Sequence, residues 1–317
     1  MPDLTYAVVK ASARKGGLLS DQQFVELSSS RDLKDFVNRV KERYPVLVLN
    51  VTPTEKEIED LLLRSFRDEV DEFIKYCAGA SLILQLIKRE VEEVEEAKIM
   101  KRYLEGLVSE RQEGAPKKLS MEGVPGQLSA RGFDPEVEEA RRIFEKYRVP
   151  GLVDSVFARY RILKMLKAAK RLKGDVAAGL GEYLRLKVDV FNIVTILRGI
   201  RNGIDRKALE EVLILGEGSL SKEVMRGALK AADEEKALAL LEGAGLSKVE
   251  GARALERAYE MKIAKMLNRT YYGGYINMGA IVGYLELRLR EVRNLVRIAN
   301  AVSRGIEPKR IAQDFIF

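Results

Sequence analysis

The sequence predicts an all-α fold. Three observations carry that prediction. Proline is scarce, with 8 in 317 residues, so little interrupts long helices. Apolar residues recur at helical spacing over most of the chain. Only one short run, Val46 to Val51 within PVLVLNVTP, reads as a strand, and Pro45 and Pro53 bound it.

The elements follow in chain order. Ser20 stands before a helical segment, where its oxygen suits an N-cap. Helical period then covers 54–76 and 80–108. Residues 110–135, ERQEGAPKKLSMEGVPGQLSARGFDP, hold several Gly and Pro and are expected to form a long connection. Helical period returns over 135–148, 152–173, 176–203, 222–243, 250–268 and 277–303. Ser221, like Ser20, precedes a helical segment.

The chain repeats itself. VDVFNIVTILRGIRNGIDRK (188–207) aligns with LREVRNLVRIANAVSRGIEPK (289–309) at an offset of 102. Asp189 pairs with Glu291, Asn192 with Asn294, Gly203 with Gly305 and Lys207 with Lys309. Six apolar pairs, from Val190/Val292 to Ile204/Ile306, fall on one helical stripe in register. Leu19-Ser20 recurs as Leu220-Ser221, and Asp32 as Asp233, both at an offset of 201. The middle copy of Leu-Ser is either Leu119-Ser120 or Leu128-Ser129. The first copy of the long helix, KREVEEVEEAK (88–98), has Glu93 where the others have Asn. That helix is either wetter or differently partnered.

A unit of about 100 residues is domain-sized and too long for a solenoid repeat. The expected division is 1–110, 111–217 and 218–317. Three look-alike units with similar contacts close into a pseudo-threefold ring or funnel, or stay open as a curved rod. The plainer alternative is duplication without a special axis.

Composition excludes much chemistry. The chain has no His, so imidazole bases, Ser-His-Asp triads and His metal sites are out. One cysteine, Cys77, excludes intrachain disulfides and Cys-rich zinc sites, and fits a reducing compartment. The glycine clusters lack the phosphate-loop spacing. The acidic run Glu92, Glu93, Glu95 and Glu96 reads as a solvated face. No catalytic, cofactor-binding or metal-binding residue is assigned. The longest uncharged stretch, Thr270 to Leu285, holds four glycines and an Asn. A membrane span needs about 20 mostly apolar residues, and MPDLTYAVVKASARKGG has no signal-peptide core. A soluble, cytoplasmic protein is expected. Lys plus Arg total 55 against 48 acids, a net charge of +7, which is a mild excess on a highly charged surface.

Two constellations bear on binding. RILKMLKAAKRLK (161–173) places Arg161, Lys164, Lys167, Lys170 and Arg171 on one broad face. That face meets an anionic partner or simply stays wet. Asn192 and Asn294 are expected to organise a polar contact between helices or with backbone, because a buried Asn needs partners.

Segment YLELRLREVRNLVRIANAVSRGIEPKRI (284–311) resembles the C-terminal signature of the family formed by the C subunits of archaeal (A-type) ATP synthases, which are related to the d subunits of V-type ATPases. DVFNIVTILRGIRNGI (189–204), TYAVVKASARKGGLLS (5–20) and LERAYEMKIAKML (255–267) are similar to other family segments, in the family's order. Glu93 departs from that pattern, as do the connection at 110–135 and the run at 46–51. The resemblance implies a non-enzymatic, three-domain helical funnel at the cytoplasmic face of the membrane. Its partners would be the proteolipid ring and the D and F subunits of the central stalk, with no cofactor, small-molecule substrate or nucleic acid. It also implies a polar socket for the stalk, to which Arg198, Arg201, Arg293 and Arg297 are expected to contribute. The rival reading is a basic helical scaffold for nucleic acid, with Tyr271, Tyr272 and Tyr275 as stacking residues.

Overall fold

The computed structural model describes residues 4–47, 53–77, 80–113, 128, 134–172, 180–243, 258, 261–263, 265–266 and 278–313. Among these, every regular element is helical. Helices α1 (Leu4–Lys15), α2 (Asp21–Ser28) and α3 (Leu33–Val40) lead to a 3-10 turn at Pro45–Leu47. The long helices α4 (Glu55–Tyr76) and α5 (Ser81–Glu113) follow. Then come α6 (Asp134–Tyr147), α7 (Gly151–Ala169), α8 (Leu180–Arg201) and α9 (Arg206–Val212). Helices α10 (Lys222–Lys230), α11 (Glu234–Gly243), α12 (Met278–Ser303) and α13 (Pro308–Gln313) complete the set.

Two expectations need correcting. The strand-like run begins as the 3-10 turn, with Leu47 fully buried beside α4. A strand needs a neighbour for its backbone groups, and none exists among the described residues; residues 48–52 lie outside them. The helix expected over 222–243 is two helices. Asp233 accepts the Lys236 amide at 2.8 Å and starts the second one. Most of the connection at 110–135 and of the helix at 250–268 lies outside the described residues.

The chain divides into two compact units. The first joins Met1–Lys88, Leu172–Leu180 and Met261–Phe317. Its centre is α4, whose Ile58, Leu62, Phe66, Val70 and Phe73 recur every three or four residues and are fully buried. That stripe faces α12, which also packs on α1, α2 and α3. So the last long helix of the chain completes the core of its first segment. The second unit takes Arg89–Arg171 and Gly181–Glu260. There α7 lies along α6, and α10 along α11.

The sequence repeat is a structural repeat inside these units. Hairpin α2–α3 and hairpin α10–α11 match at the offset of 201. Ser20 accepts the Gln23 amide and Ser221 the Val224 amide, each at 3.3 Å. Asp32 and Asp233 cap the second helix of each hairpin. The core positions also correspond. Phe24, Leu27, Phe36, Val37 and Val40 are buried, and so are Met225, Ala228, Ala237, Leu238 and Leu241.

The long helices end alike as well. Gly203 and Gly305 take φ of 66° and 65°, a left-handed conformation that costs glycine little. Each makes a Schellman-type stop: Ile204 N donates to Gly199 O, and Ile306 N to Ala301 O. Helices α9 and α13 follow, and they pack on α10 and α2 respectively.

Replacing Ser20 or Ser221 by Ala removes equivalent caps. Each substitution should lower stability by about 1 kcal/mol, read as similar shifts in chemical-denaturation midpoint.

Candidate functional site

A helix that buries an acid must bring it a donor, because an unpaired buried carboxylate is costly. The repeated helices do this at two positions, three residues apart. In α8, Asp189 and Asn192 are buried; in α12, Glu291 and Asn294; in α5, Glu90 and Glu93. Most of the other buried positions on these helices are apolar; Glu96, Thr195 and Glu286 are buried polar residues beside them.

In the second unit the partner of α8 is the loop ahead of hairpin α10–α11. Asn192 Nδ2 donates to Ile214 O at 2.8 Å, and Ile214 N donates back to Asn192 Oδ1 at 2.8 Å. Asp189 accepts the Ser219 and Leu220 amides at 3.0 and 3.2 Å. The backbone comes so close that a Cβ on Gly218 would stand 2.1 Å from Asp189 Oδ1. Asn192 and Asp189 thus tie α8 to the backbone of the segment that follows it.

In the first unit Glu291 occupies the equivalent place. Tyr44 OH donates to it at 2.9 Å and Arg288 Nη1 at 3.2 Å. The Leu19 amide, counterpart of Leu220, favours its charged form. Glu291 Oε2 nevertheless closes no hydrogen bond within ordinary limits, so the amide contact is looser than at Asp189. Burial raises the Glu291 carboxyl above its usual range, and Arg288 offsets part of that. Burial, then the Glu291 charge, pushes the Tyr44 hydroxyl well up, so it remains a donor.

This carboxylate belongs to a larger network. Arg288 Nε donates to Glu69 at 3.0 Å, and Arg14 Nη1 donates to Glu69 at 2.9 Å. Tyr284 OH also donates to Glu69, and the Arg288 guanidinium lies over the Tyr44 ring. Residues from α1, α4 and α12 are thereby tied together, with Tyr44 from the turn that follows α3.

Helix α5 resolves differently, and it corrects the reading of its acidic run as a solvated face. Glu93 and Glu96 are buried. Arg161 of α7 donates to Glu90 at 2.6 Å and to Glu93 at 2.8 Å, and Lys187 of α8 reaches Glu90 at 2.8 Å. The first copy is thus differently partnered rather than wetter. The basic face of 161–173 is corrected in turn. Arg161 is buried and Lys164 is paired with Glu136, which leaves Lys167, Lys170 and Arg171 exposed. The signal lay in the spacing: Glu90, Glu93, Ala97, Met100 and Leu104 form one buried stripe.

The four expected arginines lie on α8 and α12. Arg201 is exposed and grips Glu234 with two bonds, at 2.9 and 2.7 Å. Arg198 is exposed and Arg293 half-buried. Arg297 is exposed, and its Nη1 donates to the buried Asn294 at 3.4 Å. Tyr271, Tyr272 and Tyr275 lie outside the described residues. Among the described residues no group of His, Cys, Asp and Glu is placed to hold a metal, and no helix is long and apolar enough to cross a membrane.

Residues 7–314 match the ATP synthase (C/AC39) subunit family. The chain is 26% identical over 337 residues to the A-type ATP synthase C subunit of Thermococcus kodakarensis, covering 98% of this chain and 89% of that one. It is 25% identical over 340 residues to the protein of the same name from Desulfurococcus, and 23% identical over 335 residues to that of Pyrococcus furiosus, with the same coverage.

The close approach at Asp189 has a measurable consequence. Gly218→Ala should destabilise by about 1–3 kcal/mol, since the loop must retreat from Asp189. Gly151→Ala, with nothing near its added Cβ, should cost nothing in the same denaturation assay. The carboxyls give a signature in pH. Hydrogen bonds from Lys146 and then Tyr147 hold the Glu211 carboxyl down at about 2. Its contribution is complete above the ordinary glutamate range and is lost as pH falls toward that value. Burial raises Glu93, so its proton favours the folded state, and that stability is lost as pH rises through the folded value. Denaturation of Glu211→Gln should differ from wild type at pH 7 and converge with it in acid. Glu93→Gln should compare more favourably with wild type at pH 7 than in acid.

Proposed function

The chain belongs to the ATP synthase (C/AC39) subunit family, and from that premise we propose that it is the non-catalytic rotor subunit of an A/V-type ATP synthase or ATPase. It links the membrane proteolipid ring to the D and F subunits of the central stalk. It passes torque between them during proton- or sodium-coupled ATP synthesis or hydrolysis. It sits peripherally on the cytoplasmic face of the membrane.

One observation carries the mechanical part of this reading. In the second and third repeated helices the acid serves the hairpin of the next copy: Asp189 holds the loop before Ser221, and the Leu19 amide, just before Ser20, favours the charged form of Glu291. In the first, Glu90 pairs with Arg161 and Lys187 instead. An open array would leave its last helix without a following hairpin. Here α12 packs on α2 and α3 of the first copy. That pattern supports three domains, 1–110, 111–217 and 218–317, closed into a pseudo-threefold funnel. Close-packed helices give such a body the stiffness torque requires. Arg198, Arg201, Arg293 and Arg297 help to line its polar socket, where charge steers assembly.

The basic helix offers the nucleic-acid alternative less than its sequence suggested: Arg161 pairs with Glu90 and Glu93, Lys164 with Glu136 and Lys170 with Glu217.

Affinity capture of this chain from native membranes should bring down the proteolipid ring together with D and F. Reversing the four arginines to Glu should weaken recovery of D and F and spare the ring. Recovery of neither partner by the wild-type chain would reject the proposal.

A further inference from the structure

In the second unit Asn192 receives a segment delivered in a fixed register. Helix α8 stops at Gly203, and Leu209 N donates to Asp205 O at 3.1 Å as α9 begins. Ile214, 22 residues beyond Asn192, then closes both of its backbone bonds with that side chain. Leu213 and Ile214 are buried there. A buried Asn, a glycine stop and a short helix thus bring one backbone amide and one carbonyl to the Asn.

The first unit repeats each described part of this arrangement at the offset of 102. Asn294 is buried on α12, that helix stops at Gly305, and Ile311 N donates to Glu307 O at 3.2 Å as α13 begins. Ile311 is buried, as Leu209 is. The sequence carries the register on. Leu213-Ile214-Leu215 corresponds to Phe315-Ile316-Phe317, so Ile316 stands as far beyond Asn294 as Ile214 beyond Asn192. Residues 314–317 lie outside the described ones. Arg297 Nη1 reaches Asn294 Oδ1 at 3.4 Å, and an amide can share that oxygen, because a carbonyl oxygen accepts two bonds.

Helix α13 also needs a further hold. Helix α9 buries Ala208, Leu209 and Val212, and Arg206 Nη2 donates to the Ala231 carbonyl at 3.0 Å. In α13 the places of Arg206 and Ala208 are taken by Pro308, which has no side-chain donor, and Arg310, and both are exposed. Asp314 takes the place of Val212. A helix of six residues does not persist in water alone.

We propose that Asn294 is a peptide-binding site and that its ligand is the segment Phe315-Ile316-Phe317 of this same chain. Asn294 Nδ2 donates to the Ile316 carbonyl, and the Ile316 amide donates to Asn294 Oδ1. The ligand class is an apolar segment read by its backbone. In the second unit the chain runs on from the clamped segment into hairpin α10–α11. In the first unit hairpin α2–α3 is entered from α1 instead. The clamp at Asn294 therefore joins two distant parts of the sequence, and it fastens α13 where that helix packs on α2 and α12. It is local to the first unit and stands independently of the stalk coupling proposed above.

The test is amide hydrogen exchange over residues 309–317 of the full chain, read beside 206–215 in the same sample. In the wild type the Ile316 amide should be protected, as the Ile214 amide is. Asn294→Ala should speed exchange over 309–317 about tenfold, the scale of two lost hydrogen bonds, and leave 206–215 unchanged. Ile316→Pro removes the amide donor without altering any described side chain. It should speed exchange in α13 by a similar factor, and it decides the matter if Asn294→Ala does not fold. The double variant should exchange no faster than either single one, because both break one contact. A wild-type Ile316 amide that exchanges at the rate of an unfolded chain would overturn the site. So would wild-type exchange in Ile316→Pro or in a folded Asn294→Ala, or a double variant in which the two effects add.

Discussion

The structure depends on one constraint: a long helix that buries a carboxylate must be met by a donor from another segment. Three helices of this chain do so at matching places, with Asp189, Glu291 and Glu90. The donors differ. Backbone amides serve Asp189, a tyrosine and an arginine serve Glu291, and Arg161 with Lys187 serves Glu90. In each case the polar contact fixes which segment lies against the helix, because an apolar stripe alone accepts any apolar neighbour. Polar specificity of this kind costs stability relative to an all-apolar contact. It is tolerated where a unique arrangement matters.

That constraint connects fold to function. The donor segment precedes a repeated hairpin at Asp189, follows one at Glu291, where Tyr44 is joined by Arg288 of the same helix, and is a pair of other long helices at Glu90. The contact of α12 with the first hairpin gives the C-terminal helix a partner near the N-terminus. A last copy that needs the first favours closure over extension.

Much of this was legible in the sequence. The all-α class followed from helical period and scarce proline, and the Asp/Glu-x-x-Asn register followed from the repeat. The buried partners did not. Glu93 sits in a charge run, and charge runs are usually wet. Only its place on the stripe with Ala97 and Met100 marks it as inward-facing. Arg161 read as part of a solvated face because its acid partners lie about 70 residues away, on another helix. Tyr44 and Arg288 carried no pattern at all, since their roles arise only when α12 returns to the N-terminal helices. The structure also informs the ambiguous middle copy. Gly218 has no room for a side chain beside Asp189, and Gly17 stands at the same place before Leu19. Gly126 does so before Leu128, whereas Lys117 precedes Leu119. That favours Leu128-Ser129; Leu128 is buried, and Leu119, Ser120 and Ser129 lie outside the described residues.

On the proposed reading the chain is a passive coupling that performs no chemistry of its own. The most direct test is a rotary complex assembled in vesicles with and without the chain, with ATP hydrolysis and ion pumping measured on the same sample. Without the chain, hydrolysis should continue while pumping stops, and adding the purified chain should restore pumping. Pumping at full rate in its absence, or loss of hydrolysis from the catalytic head when it is withheld, would contradict the account.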